Sequence, residues 1–95
     1  MSTKPWTEQN EEVSLLENTD HERQLIVHND DVNTFDWVIK SLIEICDHEL
    51  IQAEQCTLII HNAGKCAVKH GSYDSLKPMK DGLTDRGLSA TINES

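Results

Sequence analysis

The sequence predicts an α+β domain: a small, largely antiparallel three-stranded sheet covered by three helices, in the order β-α-α-β-α-β. Three observations carry this prediction. Leu25-Ile26-Val27-His28 is a short apolar run with β-branched members, closed by the turn-forming cluster Asn29-Asp30-Asp31. Phe35, Val38, Ile39, Leu42 and Cys46 then recur at helical spacing. Two later stretches, Lys65 to Lys69 and Leu88 to Asn93, alternate apolar with polar residues as half-buried strands do.

Each element has a local reason. Asn33 or Thr34 caps the first helix. Asn33 with Asp36 three residues on has the acceptor-then-acid form of a capping box. Asp47-His48 ends that helix. The stretch from Cys56 to His61 reads either as a buried strand or as part of a helix from Glu49 to Asn62. Leu50, Ala53, Thr57 and Ile60 would share one face of that helix, and Gly64 would give its left-handed stop. Ala53-Glu54-Gln55 favours the helix, which is the expectation here. Gly71-Ser72 turns the chain after the second strand. Ser75 is expected to cap a short third helix, with Pro78 in its first turn and Leu76, Met79 and Leu83 as its apolar stripe. Gly82 weakens that helix and Gly87 ends it.

Residues 1–23 differ in character. They carry two basic and six acidic residues and few apolar ones. Such a segment buries too little surface to offset its ordering entropy, so it is expected to be a mobile acidic extension. Residues 24–95 form the domain, with about seventy residues supplying a core near the lower limit for one that stands alone.

Composition narrows the function. The chain has 95 residues and a net charge of −9. That is the wrong sign for neutralising phosphates or docking on an anionic membrane, so neither nucleic acid nor membrane is an expected partner. No apolar run approaches the roughly 18–20 residues that span a bilayer. The N-terminus resembles neither a secretory signal nor a transit peptide, and a soluble cytoplasmic protein is the expectation. Three cysteines, Cys46, Cys56 and Cys66, give no disulfide framework. Their pairings with His48, His61 and His70 lack the Cys-x2-Cys form of a zinc site, so no metal and no cofactor is expected.

The polar residues suit binding better than catalysis. Asp30, Asp31 and His61 have no nucleophile in a motif context beside them. Asn29, Asp30 and His61 all accept hydrogen bonds. Acceptors of net negative charge suit a cation rich in N–H donors, such as a protein's free α-amino group. A turn whose side chains bond local backbone would also account for Asn29-Asp30-Asp31.

These residues also carry a family resemblance. Leu25 through Asp31, the capped helix with Val38-Ile39, Ala53-Glu54-Gln55 through Ile60-His61, and Gly64-Lys65 together resemble ClpS. The likeness runs without a gap from Gln24 to Lys69, then loosely to Ile92. That family consists of adaptors of the Clp AAA+ protease, which take proteins beginning with a large hydrophobic residue to the unfoldase. The resemblance implies that Asn29, Asp30 and His61 hold the ligand's α-amino group. It implies that Phe35, Val38, Thr57, Ile60 and Leu88 wall a pocket for a first side chain such as Phe, Leu, Trp or Tyr. It further implies docking on the N-domain of a ClpA- or ClpC-type unfoldase, with Asp74, Lys77 and Lys80 as candidates for that surface.

The sequence departs from the family in three places. Thr57 stands where the family often has Met, Asn33-Thr34 replaces Thr-Pro, and the third helix reads as several residues short. A small interaction module of the ribosomal-stalk type is the alternative reading; it would bind a protein partner but no free α-amino group.

Overall fold

The computed structural model describes residues 22–94. The predicted N-terminal extension therefore lies, except for its last two residues, outside the described residues. The elements are β1 (Arg23–His28), α1 (Phe35–Cys46), α2 (Leu50–Ala63), β2 (Lys65–Gly71), α3 (Tyr73–Asp85) and β3 (Ser89–Glu94). The sheet order is β2-β1-β3 and both pairings are antiparallel. The three strands, the three helices and their order are those the sequence predicts.

β1 is central because it is the most apolar strand. Leu25 and Val27 are fully buried against the helices, and Ile26 on the opposite face is also covered. The helices contribute Leu42, Cys46, Ala53, Ile60, Leu76 and Leu83 to the same core. This core is aliphatic, as a chain with 4% aromatic residues requires. The β1–β2 register shifts between Leu25 and Ile26, which leaves Val68 opposite the step. Its carbonyl is met instead by His48 Nε2 at 2.8 Å.

The helix ends refine several expectations. Thr34 caps α1, its hydroxyl accepting the Trp37 N–H at 3.1 Å. Asn33 forms no box with Asp36, because its side chain is engaged elsewhere. Asp47 takes the left-handed conformation at φ 59° and ends α1. The ambiguous stretch is α2, stopped by Gly64 at φ 95°. Ser72 caps α3, not Ser75, whose N–H is one of the donors that Ser72 satisfies. The third helix is consequently not short. It runs 13 residues, and Pro78 falls in its second turn, where it removes the N–H that would bond the Asp74 carbonyl. Gly82 has a packing reason: a Cβ there would lie 3.0 Å from Ile45 Cδ1, so its absence lets α1 and α3 approach closely.

Candidate functional site

Three connections meet at one end of the sheet. Asn29 leaves β1 with its N–H donated to the Gly64 carbonyl at 2.9 Å. That bond ties the β1–α1 loop to the end of α2, and so places Asn29 beside the turn that carries His61. The left-handed glycine of the Gly64-Lys65 step thus has two structural roles, stopping α2 and presenting the acceptor. At the other side of the loop, Thr34 starts α1 and fixes Phe35 and Val38 in its first turns.

Between these elements lies a cavity of about 330 Å³. The β1–α1 loop supplies its polar side through Asn29, Asp30, Asp31 and Asn33. The helices supply the rest: Phe35 and Val38 from α1, and Thr57, Ile60 and His61 from α2. Ala53, Thr57, Ile60 and His61 follow helical spacing, so one face of α2 serves both the core and the cavity. The Phe35 and His61 rings meet edge to face, with centroids 5.6 Å apart and planes at 74°. Among the described residues neither Lys nor Arg lines the cavity. With Asp30 and Asp31 on one side, its field favours a cation.

The structure brings together seven of the eight residues expected at the pocket. Leu88 is the exception, buried in an adjoining cavity of about 20 Å³ together with Val27, Val38 and Ile60. It forms part of the floor behind the pocket. Thr57 is buried and its hydroxyl donates to the Ala53 carbonyl at 2.7 Å. The hydroxyl proton is therefore committed within α2, and the side chain is short toward the cavity. Asp74, Lys77 and Lys80 lie on α3 and do not line the cavity; Lys77 is paired with Asp81 at 2.7 Å.

Asp30 is the most constrained member. Its Oδ1 accepts from the Val32 and Asn33 N–H groups, both at 2.9 Å, and its Oδ2 accepts from Asn33 Nδ2 at 2.9 Å. These bonds, the Asn33 N–H foremost, hold its carboxyl below the ordinary carboxylate value of 3.8. The reading of this cluster as a turn bonded to its own backbone is thus correct for Asp30. The carboxylate keeps unused lone pairs and its charge at the cavity.

Asp31 and Asn33 line the cavity without being among the pocket residues that the resemblance implies. For Asn33 the local signal points to a helix cap, whereas its Nδ2 donates to the Gly87 carbonyl at 2.9 Å, 54 positions away. No sequence pattern encodes that contact. Among the described residues no group of three or more His, Cys, Asp or Glu side chains is placed to hold a metal ion. No described helix is long and apolar enough to cross a membrane.

Comparison with known proteins locates this architecture. The family model described as ATP-dependent Clp protease adaptor protein ClpS matches residues 18–91. No curated protein sequence matches significantly. Among solved structures, Agrobacterium tumefaciens ClpS2 bound to L-phenylalaninamide superposes with a TM-score of 0.67 at 13% identity, covering 79% of this chain and 98% of that one. At that identity the likeness speaks for the fold, and it agrees with the strand and helix order described above. The family match spans the loop, both cavity-lining helices and the first half of β3. This chain therefore belongs to the ClpS family of Clp protease adaptors, a family of adaptors and not of enzymes.

Proposed function

We propose that the cavity binds the N-terminus of proteins that begin with a large hydrophobic residue, and that the chain delivers them to a Clp AAA+ unfoldase. The observation that carries this reading is the division of the cavity. One side is apolar; the other offers acceptors and carboxylates, with no Lys or Arg among the described residues that line it. A free α-amino group joined to a large side chain is a ligand with the same division. Phenylalaninamide, the molecule bound to the Agrobacterium protein, has both parts.

The geometry supports the following roles. Asn29 and His61 accept hydrogen bonds from the ammonium. Asp30 contributes charge, its geometry already set by the loop. Phe35, Val38, Thr57 and Ile60 receive the first side chain, with Leu88 behind them. Burying a Phe or Leu side chain contributes roughly 1.5–3 kcal/mol. Each charge-assisted hydrogen bond adds roughly 1.5–3 kcal/mol before ordering costs. Together these reach the micromolar range. An internal Phe has no ammonium and leaves the acceptors unpaired, so the site distinguishes a chain end from a chain interior. Delivery follows through the unfoldase N-domain, of ClpA or ClpC type, with Asp74, Lys77 and Lys80 on α3 as the contact surface, in the cytoplasm.

The test is a fluorescent peptide beginning with Phe, measured beside the same peptide with an acetylated N-terminus. The free amine binds and the acetylated peptide does not, and Asn29→Ala abolishes the difference. Equal binding of the two peptides, or binding of neither across Phe, Leu, Trp and Tyr, would overturn the reading.

A further inference from the structure

The β1–α1 loop has little apolar anchoring of its own. Val32, at its centre, is 85% exposed. Ordering such a loop costs about 1–2 kcal/mol per residue, so a binding site built on it needs fixed points. One end is fixed by the Asn29 bond to Gly64 and the other by the Thr34 cap. Between them stands Asn33. Its N–H and one hydrogen of Nδ2 go to the two oxygens of Asp30, and Nδ2 also donates to the Gly87 carbonyl, all at 2.9 Å. Both partners of Nδ2 are acceptors, so only an NH₂ group bridges them and the amide orientation is fixed.

The far end of this bridge is itself held in place. Gly87 has φ 87°, and Leu88 N–H returns to the Leu83 carbonyl at 3.0 Å, closing α3. The preceding Arg86 carbonyl accepts Trp37 Nε1 at 3.0 Å. Asn33 and Trp37 thus both donate to backbone carbonyls of the turn after α3, and Arg86 of that turn pairs with Glu44 of α1 at 2.7 Å, but of these links only Asn33 also reaches Asp30.

We propose that Asn33 is a positioning residue of the amino-group site: it anchors the Asp30 carboxylate to the turn after α3 and thereby sets the loop's acceptors for the ligand. This rests on the binding reading given above. In this proposal Asn33 acts through Asp30.

Three variants test it: Asn33→Ala, Asn33→Asp and Trp37→Phe. Asn33→Asp keeps the volume while replacing the donating NH₂ by an acceptor. Trp37→Phe removes the other side-chain hydrogen bond to a backbone carbonyl of the same turn and leaves Asp30 untouched. Affinity for the Phe-initiated peptide, measured well below each melting temperature, falls about tenfold in Asn33→Ala, the equivalent of one such hydrogen bond. It falls further in Asn33→Asp and stays within about twofold in Trp37→Phe. Amide exchange at Val32, whose N–H is held by Asp30 Oδ1, accelerates in both Asn33 variants and not in Trp37→Phe.

Unchanged affinity in both Asn33 variants, or an equal loss in Trp37→Phe, overturns the proposal. If the unsubstituted chain does not prefer the free amine over the acetylated peptide, the binding reading fails instead. The exchange measurement then still decides on Asn33: unchanged exchange at Val32 shows that it does not hold Asp30.

Discussion

Two histidines flank α2 and do opposite things. His48 precedes it, is 4% exposed, and spends Nε2 on the Val68 carbonyl at 2.8 Å. His61 lies in its last turn, is exposed, and touches the cavity with its ring edge-on to Phe35. The first closes a gap that the sheet leaves at the β1–β2 register shift; the second lines the cavity, where the proposed reading has it meet the ligand. A carbonyl fixes the tautomer at His48, since Nε2 has to carry the proton it donates. The difference teaches that a histidine's neighbours in sequence say little about its role. His61 sits beside Leu58-Ile59-Ile60, the setting of a buried structural residue, and yet it is the available one. His48, in a polar Asp-His-Glu stretch, is the buried one.

The largest effect expected from breaking this contrast is on stability. His48→Ala strips the Val68 carbonyl of its donor and empties the buried space, a loss of about 2–4 kcal/mol. For a domain of this size that lowers the melting temperature by more than about 10 °C. Thermal denaturation followed by circular dichroism measures it. Peptide affinity of the fraction still folded stays unchanged. A drop of under about 2 °C would show that His48 is only a passenger at the end of α1.

His61→Ala is the reciprocal experiment. Stability moves by less than about 0.5 kcal/mol, as for other exposed positions. Affinity for the Phe-initiated peptide falls by about 10- to 100-fold, the value of one charge-assisted bond with its packing. Isothermal titration with the free and the acetylated peptide reads it. If His48→Ala and His61→Ala changed stability and affinity in the same proportion, the division of labour between the two residues would be wrong.

How far the sequence discloses this site depends on the range of each contact. The strands and the helices follow from local pattern, because periodicity and turn chemistry act over a few residues; the meeting of Asn29 with His61 and Gly64, more than thirty positions away, does not, and Asn29 and His61 are joined at the sequence level only by the family resemblance. Periodicity pairs Phe35 with Val38 on α1 and Thr57 with Ile60 on α2, whereas the grouping of the two pairs around one pocket comes from the resemblance. The third helix begins earlier than its sequence suggests because Ser72 and Ser75 both suit a cap; the structure chooses the one that lets Tyr73 begin the helix. Leu88 belongs to the floor and not the wall because its depth depends on how β3 packs against β1. The tether from Asn33 to Gly87 joins elements that only the folded chain brings together, and local rules assign Asn33 to a cap.

Cys46 sharpens the comparison from the sealed side. It is the last residue of α1, two positions before His48, and fully buried. Burial pushes its thiol up to about 11, with Lys69 opposing the shift. At pH near 8 the thiol is therefore neutral and inert to alkylation in the folded chain. His48→Ala loosens the seal and accelerates modification of Cys46 by roughly the factor by which it lowers stability, whereas His61→Ala leaves the rate unchanged. Mass spectrometry after timed iodoacetamide treatment distinguishes them. Equal rates in the two variants would place Cys46 outside the unit that His48 holds closed.

The smallest effect belongs to Asp30, on the open side. Its folded carboxyl is held below 3.8, first by the Asn33 N–H and then, against an opposing desolvation, by Val32 and the Asn33 side chain. A carboxyl whose folded value lies below its unfolded one contributes stability that is complete above the unfolded value and is lost as pH falls through the folded one. The loss therefore occurs below about pH 4, where the unfolded chain takes up the proton first. The group is open to solvent, so the contribution is small. It shows as a shallower fall of melting temperature with acidification in Asp30→Asn than in the unsubstituted chain. Asp30→Asn also lowers peptide affinity at neutral pH, because the amide keeps the shape but forfeits the charge opposite the ammonium. Parallel melting curves down to about pH 2.5, well below the ordinary carboxylate value, together with unchanged affinity, would mean that the loop holds its form without the carboxylate. The hydrogen bonds from Val32 and Asn33 would then be a consequence of the loop's shape and not its cause.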